Sequence, residues 1–160
     1  MAGLSAPTFF TVSAVSIFPP GQGLTLRVTA TGTAPLFYQW QFNGSNLAGA
    51  NAASLALTNL SATHAGTYHV VVTNLAGTAT SQDANFWFFG DLKYSATQAT
   101  TTLAGPVGQQ FRADYADSLT GGTTNWQLLM NLTLPSSPYL VLDPAVAGKP
   151  RCFYRAVPVP

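Results

Sequence analysis

The side chains able to do proton or nucleophilic chemistry are few. The chain has two histidines, one cysteine, five aspartates and no glutamate among 160 residues. His64 falls in a stretch of turn composition, and His69 lies in a β-branched run, pointing outward beside Val71. A nucleophilic site needs a base within reach of its nucleophile and a third group that orients the base. No serine, cysteine or carboxylate is spaced with either histidine in that way, so no catalytic residue is assigned and no enzyme is expected. Asp91, with Asp83 and Asp143, is the candidate cation site. Calcium takes roughly six to eight oxygen ligands, so the favoured role for Asp91 is a turn aspartate capping backbone N–H groups. No metal and no cofactor is expected. Arg112, Asp114 and Arg155 are expected to form a cross-strand charge cluster, worth about 0.2–1 kcal/mol per pair. Cys152 cannot close an internal disulfide alone and is expected to be a small buried apolar residue.

The remaining candidates are binding groups. Phe37, Tyr38, Trp87, Tyr94 and Tyr139 could stack on sugars if exposed, although aromatics in β structure more often belong to the core. Asn43, Asn59 and Asn131 each stand in an N-x-S/T sequon, whose use depends on the host.

The elements that must position these groups are set by composition and pattern. Apolar residues make up 47% of the chain and charged residues only 7%, against about 25% in an average soluble protein. With a net charge of +1, there is no electrostatic footprint for nucleic acid or anionic membrane. No apolar run approaches the roughly 18 residues of a membrane span. The start, "MAGLSAPTFF", lacks the basic and long apolar regions of an export signal. Short alternating runs recur, punctuated by Gly, Pro and Asn. Leu24, Leu26, Val28 and Ala30 share one face of "LTLRVTA". "FYQWQFNG" ends in the Asn-Gly hairpin signal. "GTYHVVVTNLAGTATS" reads as two strands around a turn at Asn74–Gly77. Such spacing predicts an all-β fold with a sandwich. The second half continues in strands, and "QQFRADYAD" alternates with Phe111, Ala113 and Tyr115 inward and Arg112 and Asp114 outward.

The stretch from about Pro7 to Phe88 resembles an immunoglobulin-like domain of the intermediate, I-set type. The family pattern is a cysteine on its second strand, a tryptophan on its third, then D-x-G-x-Y-x-C. Here those positions hold Val28, Trp40 and His64-Ala65-Gly66-Thr67-Tyr68-His69-Val70, so both cysteines are valine. The resemblance implies that Trp40 packs between Val28 and Val70 without a disulfide, and that Tyr68 forms a tyrosine corner. It also implies that His64 replaces an acid which often pairs with an arginine. The rest resembles the small β domain that closes many large, immunoglobulin-repeat-containing secreted bacterial proteins, through Phe111–Tyr115, Asn125-Trp126 and Phe153-Tyr154-Arg155. The "TGGTT" stretch before Asn125 departs from that pattern as a lengthened loop, and the stop at Pro160 suggests a natural C-terminus. The expected architecture is therefore an all-β immunoglobulin-like β-sandwich over residues 1–89 and a second small antiparallel β domain over 90–160.

Between them lies "ANFWFFGDLKY", apolar on both faces. The family alignment puts Phe86 and Phe88 inward, which leaves Trp87 and Phe89 outward as a patch large enough to demand a contact. Packing against the second domain is favoured over an intermolecular surface. Phe9 and Phe10 belong to a second apolar stretch, "APTFFTVSAVSIFPPGQG", suited to strand pairing with its own sandwich or a neighbour. These features imply a non-catalytic structural or adhesive module, extracellular or on a bacterial surface, whose partners are proteins. A subunit of a self-assembling filament, partnered by itself, and a carbohydrate-binding module partnered by polysaccharide are the alternatives. Nucleic acid and membrane insertion are not expected.

Overall fold

The computed structural model describes residues 3–12, 16–18, 21–90, 92–95, 97–117, 125–143 and 153–159. Asp91, Cys152 and the loop at 120–124 lie outside them, as do the side chains of Phe10 and Tyr94. The first half contains β1 (Thr8–Val12), β2 (Ser16–Phe18), β3 (Leu24–Thr31), β4 (Phe37–Phe42) and β5 (Ser45–Asn46). It continues through β6 (Ser54–Leu57), a 3-10 turn (Ala62–His64), β7 (Gly66–Asn74), β8 (Gly77–Thr80) and β9 (Ala84–Phe89). The second half adds β10 (Lys93–Tyr94), β11 (Ala99–Ala104), β12 (Gln110–Ala116), β13 (Gln127–Thr133), β14 (Tyr139–Asp143) and β15 (Phe153–Pro158).

Two sheets form the sandwich. One runs β1-β3-β6, all antiparallel; the other holds β4, β7 and β9, with β5, β8 and β2 alongside. The alternation on β7 is complete at its start: Gly66, Tyr68, Val70 and Val72 are buried while Thr67, His69 and Val71 are half-buried. Tight turns carry the chain between strands. At Asn43-Gly44, φ is 47° and 79°, the left-handed pair that a two-residue hairpin requires. Asn43 Oδ1 also accepts from the Thr67 N–H at 2.9 Å. The apolar N-terminal stretch is taken up within this sandwich: β1 pairs with β3, and β2 pairs parallel with β9. Each of these two strands thus has one edge paired at home, and β1 is an edge strand of its sheet.

The first core gathers Leu26, Val28, Trp40, Tyr68, Val70, Val72, Ala84 and Phe86, with Phe9 and Phe42 packed against it. Trp40 is fully buried, and its indole N–H donates to Ala52 O at 2.9 Å, so the largest core side chain leaves no unpaired polar atom. Val28 and Val70 fill the space a disulfide would span.

β9 is shared between the halves. Phe86 points into the first core, where it meets Tyr68 edge-on at 5.2 Å between centroids. Trp87, the next residue, points the other way into a second core with Leu103, Phe111, Ala113, Leu134 and Val141, and Phe89 packs there too. One edge of β9 pairs with β2. The opposite edge pairs first with β7, up to Phe86, and then with β11, through Phe88 and Phe89. The sheet thus continues without a break from the sandwich into the second half. There, β11 and β14 face a second sheet of order β13-β12-β15. The two-faced apolar strand is explained: each face belongs to a different core.

One expectation of exposure is corrected. Asp114 is buried at 2% exposure and Tyr115 is half-buried. Asp114 keeps the face it shares with Arg112, and its carboxylate is buried because Arg112 and Arg155 both close on it. The bulge at this point belongs to β13, where Leu129 is the extra residue, while the pairing with β15 runs through unshifted.

Candidate functional site

Strand β7, with β8 and β9, carries the polar groups of interest. β7 pairs with β8 in one register (Val71↔Thr80) and with β9 in another, one residue longer (Tyr68↔Ala84). The extra residue falls in Ser81–Asp83. Ser81 stabilises the change: its N–H donates to Val70 O at 3.0 Å, and its Oγ accepts from Val70 N–H at 3.0 Å. The shifted register brings Asp83 across from His69, where His69 Nδ1 and Asp83 Oδ1 are 3.3 Å apart. On its other side, His69 Nε2 lies 2.6 Å from Gln41 Oε1, and Gln41 Nε2 donates to Asn46 Oδ1 at 2.7 Å. Asn46, Gln41, His69 and Asp83 form one polar ladder that crosses three strands and ends on a carboxylate in the segment before β9.

That carboxylate lines a cleft of about 690 Å³ between the two halves. Phe42, Asn43, Ala62 and Thr67 form the sandwich wall, and Pro106, Val107 and Pro138 form the wall opposite. Gly105 sets the approach of that wall, because a Cβ there would stand 2.6 Å from Trp87 Cζ3. Asp83 is 61% exposed and His69 17% in their side chains. Among the described residues no Lys or Arg lines the cleft, and the carboxylate is its one fixed charge.

Nearby, the Tyr68 hydroxyl donates to His64 O at 2.9 Å, which makes the tyrosine corner. Burial pushes this hydroxyl's pKa up from 10.0 to about 12. His64 Nδ1 accepts from the Ser61 N–H at 3.2 Å, so this histidine closes the turn where the family has an acid. A second charged group is structural in its surroundings. Asp114 meets Arg112 and Arg155, each through Nε at 2.9 Å, and the Arg155 guanidinium sits 4.5 Å above the Trp126 ring.

Other candidates fall where they cannot act together. Trp87 is buried and cannot stack on a sugar, whereas Phe37 is 61% exposed. Tyr139 packs on the second core. Asp143 is buried and accepts from the Tyr154 hydroxyl at 2.7 Å. Among the described residues, no three His, Cys, Asp or Glu side chains converge on a metal-sized space, and no helix is long and apolar enough to cross a membrane. The sequence signals missed the cleft, because its walls meet only through the register shift at Ser81–Asp83 and the turn at Gly105–Val107.

The β-sandwich is immunoglobulin-like in strand order, core and tyrosine corner, and it carries a second antiparallel β unit on its last strand. No family model and no curated protein matches the chain. Solved structures do. Sidekick-1 immunoglobulin domains 1–5 match at TM-score 0.51 and 21% identity, over 69% of this chain and 26% of that one. Sidekick-1 domains 1–4 match at 0.50 and 20%, over 75% and 34%. The tandem Ig repeats of Dlar match at 0.48 and 19%, over 52% and 48%. The chain thus spans between 26% and 48% of the length of these structures. At such identities the likeness to the two Sidekick-1 structures establishes the fold alone.

Proposed function

We propose that the chain is a non-catalytic structural or adhesive module of a bacterial surface or secreted protein, working outside the cell through contacts with other proteins. The observation that carries this reading is the unbroken sheet through β9. Burying Phe86 in one core and Trp87 in the next holds the two halves in one orientation. A spacer that presents its ends at a fixed distance needs that stiffness, and tandem domains joined by a loose linker lack it. The low charge, 7% of residues, suits dense packing on a surface because self-repulsion is weak. The self-assembling reading is weaker, since one edge of each N-terminal strand is already paired within the sandwich. The polysaccharide reading has lost Trp87 to the core.

The test is adhesion of beads coated with the full chain to bacterial cells, with protease-treated and glycosidase-treated cells as separate arms. Adhesion abolished by protease is the expected result. Adhesion abolished by glycosidase alone, or no adhesion to any surface, contradicts the proposal.

A further inference from the structure

The cleft between the halves has the chemistry of a site for one long cationic side chain. Its walls are apolar where Phe42, Pro106, Val107 and Pro138 face it, and Asp83 supplies the only fixed charge among the described residues. A lysine or arginine fits that combination, because its methylene stem covers apolar surface while its head seeks a carboxylate. The ladder behind Asp83 strengthens the case. With Gln41 donating to Asn46 and accepting from His69 Nε2, His69 Nδ1 is a buried atom without a hydrogen bond. Its neighbour is Asp83 Oδ1, so a lone pair faces a carboxylate. Turning both amides over reverses the ladder and directs a proton from Nδ1 to Asp83. In either direction the ladder holds the histidine still and ends on an exposed carboxylate.

We propose that this cleft binds a lysine or arginine side chain of an extended segment of a partner protein, with the cationic head on Asp83 and the stem against Phe42, Pro106 and Pro138. The inference rests on the protein-contact reading above and names what that partner presents.

The experiment is a titration of the full-length, isotope-labelled chain with blocked tripeptides Gly-Lys-Gly, Gly-Arg-Gly and Gly-Gln-Gly, followed by amide chemical shifts. The expected result is saturable shifts at Thr67, Asp83 and Val107 with the two cationic peptides only, lost in Asp83→Asn. Asp83→Asn should leave the thermal midpoint near that of the parent, since the side chain is exposed. Equal shifts with the glutamine peptide, or shifts that survive Asp83→Asn, overturn the proposal. So does a response at the same residues to zinc alone with none to the peptides, which would make His69 and Asp83 a metal site. If the peptides fail while bead adhesion stays protease-sensitive, the cleft assignment alone falls. If adhesion itself fails, the wider reading falls.

Discussion

Trp40 and Tyr68 hold the sandwich at the scale of single residues. Trp40→Ala removes the fully buried indole from the core it shares with Val28 and Val70 and is expected to cost about 3–5 kcal/mol in denaturant unfolding. Reducing agent should leave the melting temperature of the monomer unchanged, because valines fill the place of the disulfide. Tyr68 makes stability depend on alkaline pH. The native state holds its hydroxyl proton more tightly than the unfolded chain does. Its contribution is therefore fully present below pH 10.0 and is lost as pH rises through the interval to about 12. Tyr68→Phe should lower stability by about 0.5–1.5 kcal/mol at neutral pH and flatten the loss over that alkaline interval. A pH series of urea melts on both proteins checks the pair of expectations. An equally steep alkaline loss in the phenylalanine variant would show that another group is responsible.

Gly105 and the bulges act at the scale of elements. Gly105→Ala places a methyl group against the Trp87 ring and is expected to cost on the order of 1–3 kcal/mol, with amide exchange rising around Phe111, Val141 and Leu103 before it rises around Trp40. Uniform change across both cores would argue that the ring has room to move. Much of this level was legible in the sequence. Alternation marked Leu24–Ala30, the Asn43-Gly44 turn and the hairpin at Asn74–Gly77, because a strand with one buried face repeats every two residues. The spacing of Trp40 and Gly66-x-Tyr68 marked the corner and the core. The registers were not legible. A single extra residue at Ser81–Asp83 and a bulge opposite Ala113–Asp114 leave no trace in apolar periodicity. Yet the first brings Asp83 to His69, and the pairing of β12 with β15 sets Asp114 opposite Arg155.

At the scale of the whole molecule, the central claim is that β9 makes one body of two cores. Composition could pose the question, since Phe86–Phe89 is apolar on both faces, but only pairing answers it. The strand gives its first edge partners to the sandwich and its last two residues to β11, and its alternate side chains to opposite cores. Losing either core should therefore strip the other of a wall. The most direct measurement is differential scanning calorimetry of the full chain, comparing the calorimetric enthalpy with the van't Hoff enthalpy. The account predicts a single transition in which the two agree, and a lower single transition in Trp87→Ala. Two resolved transitions in the full chain, with Trp87→Ala lowering one and sparing the other, would contradict it.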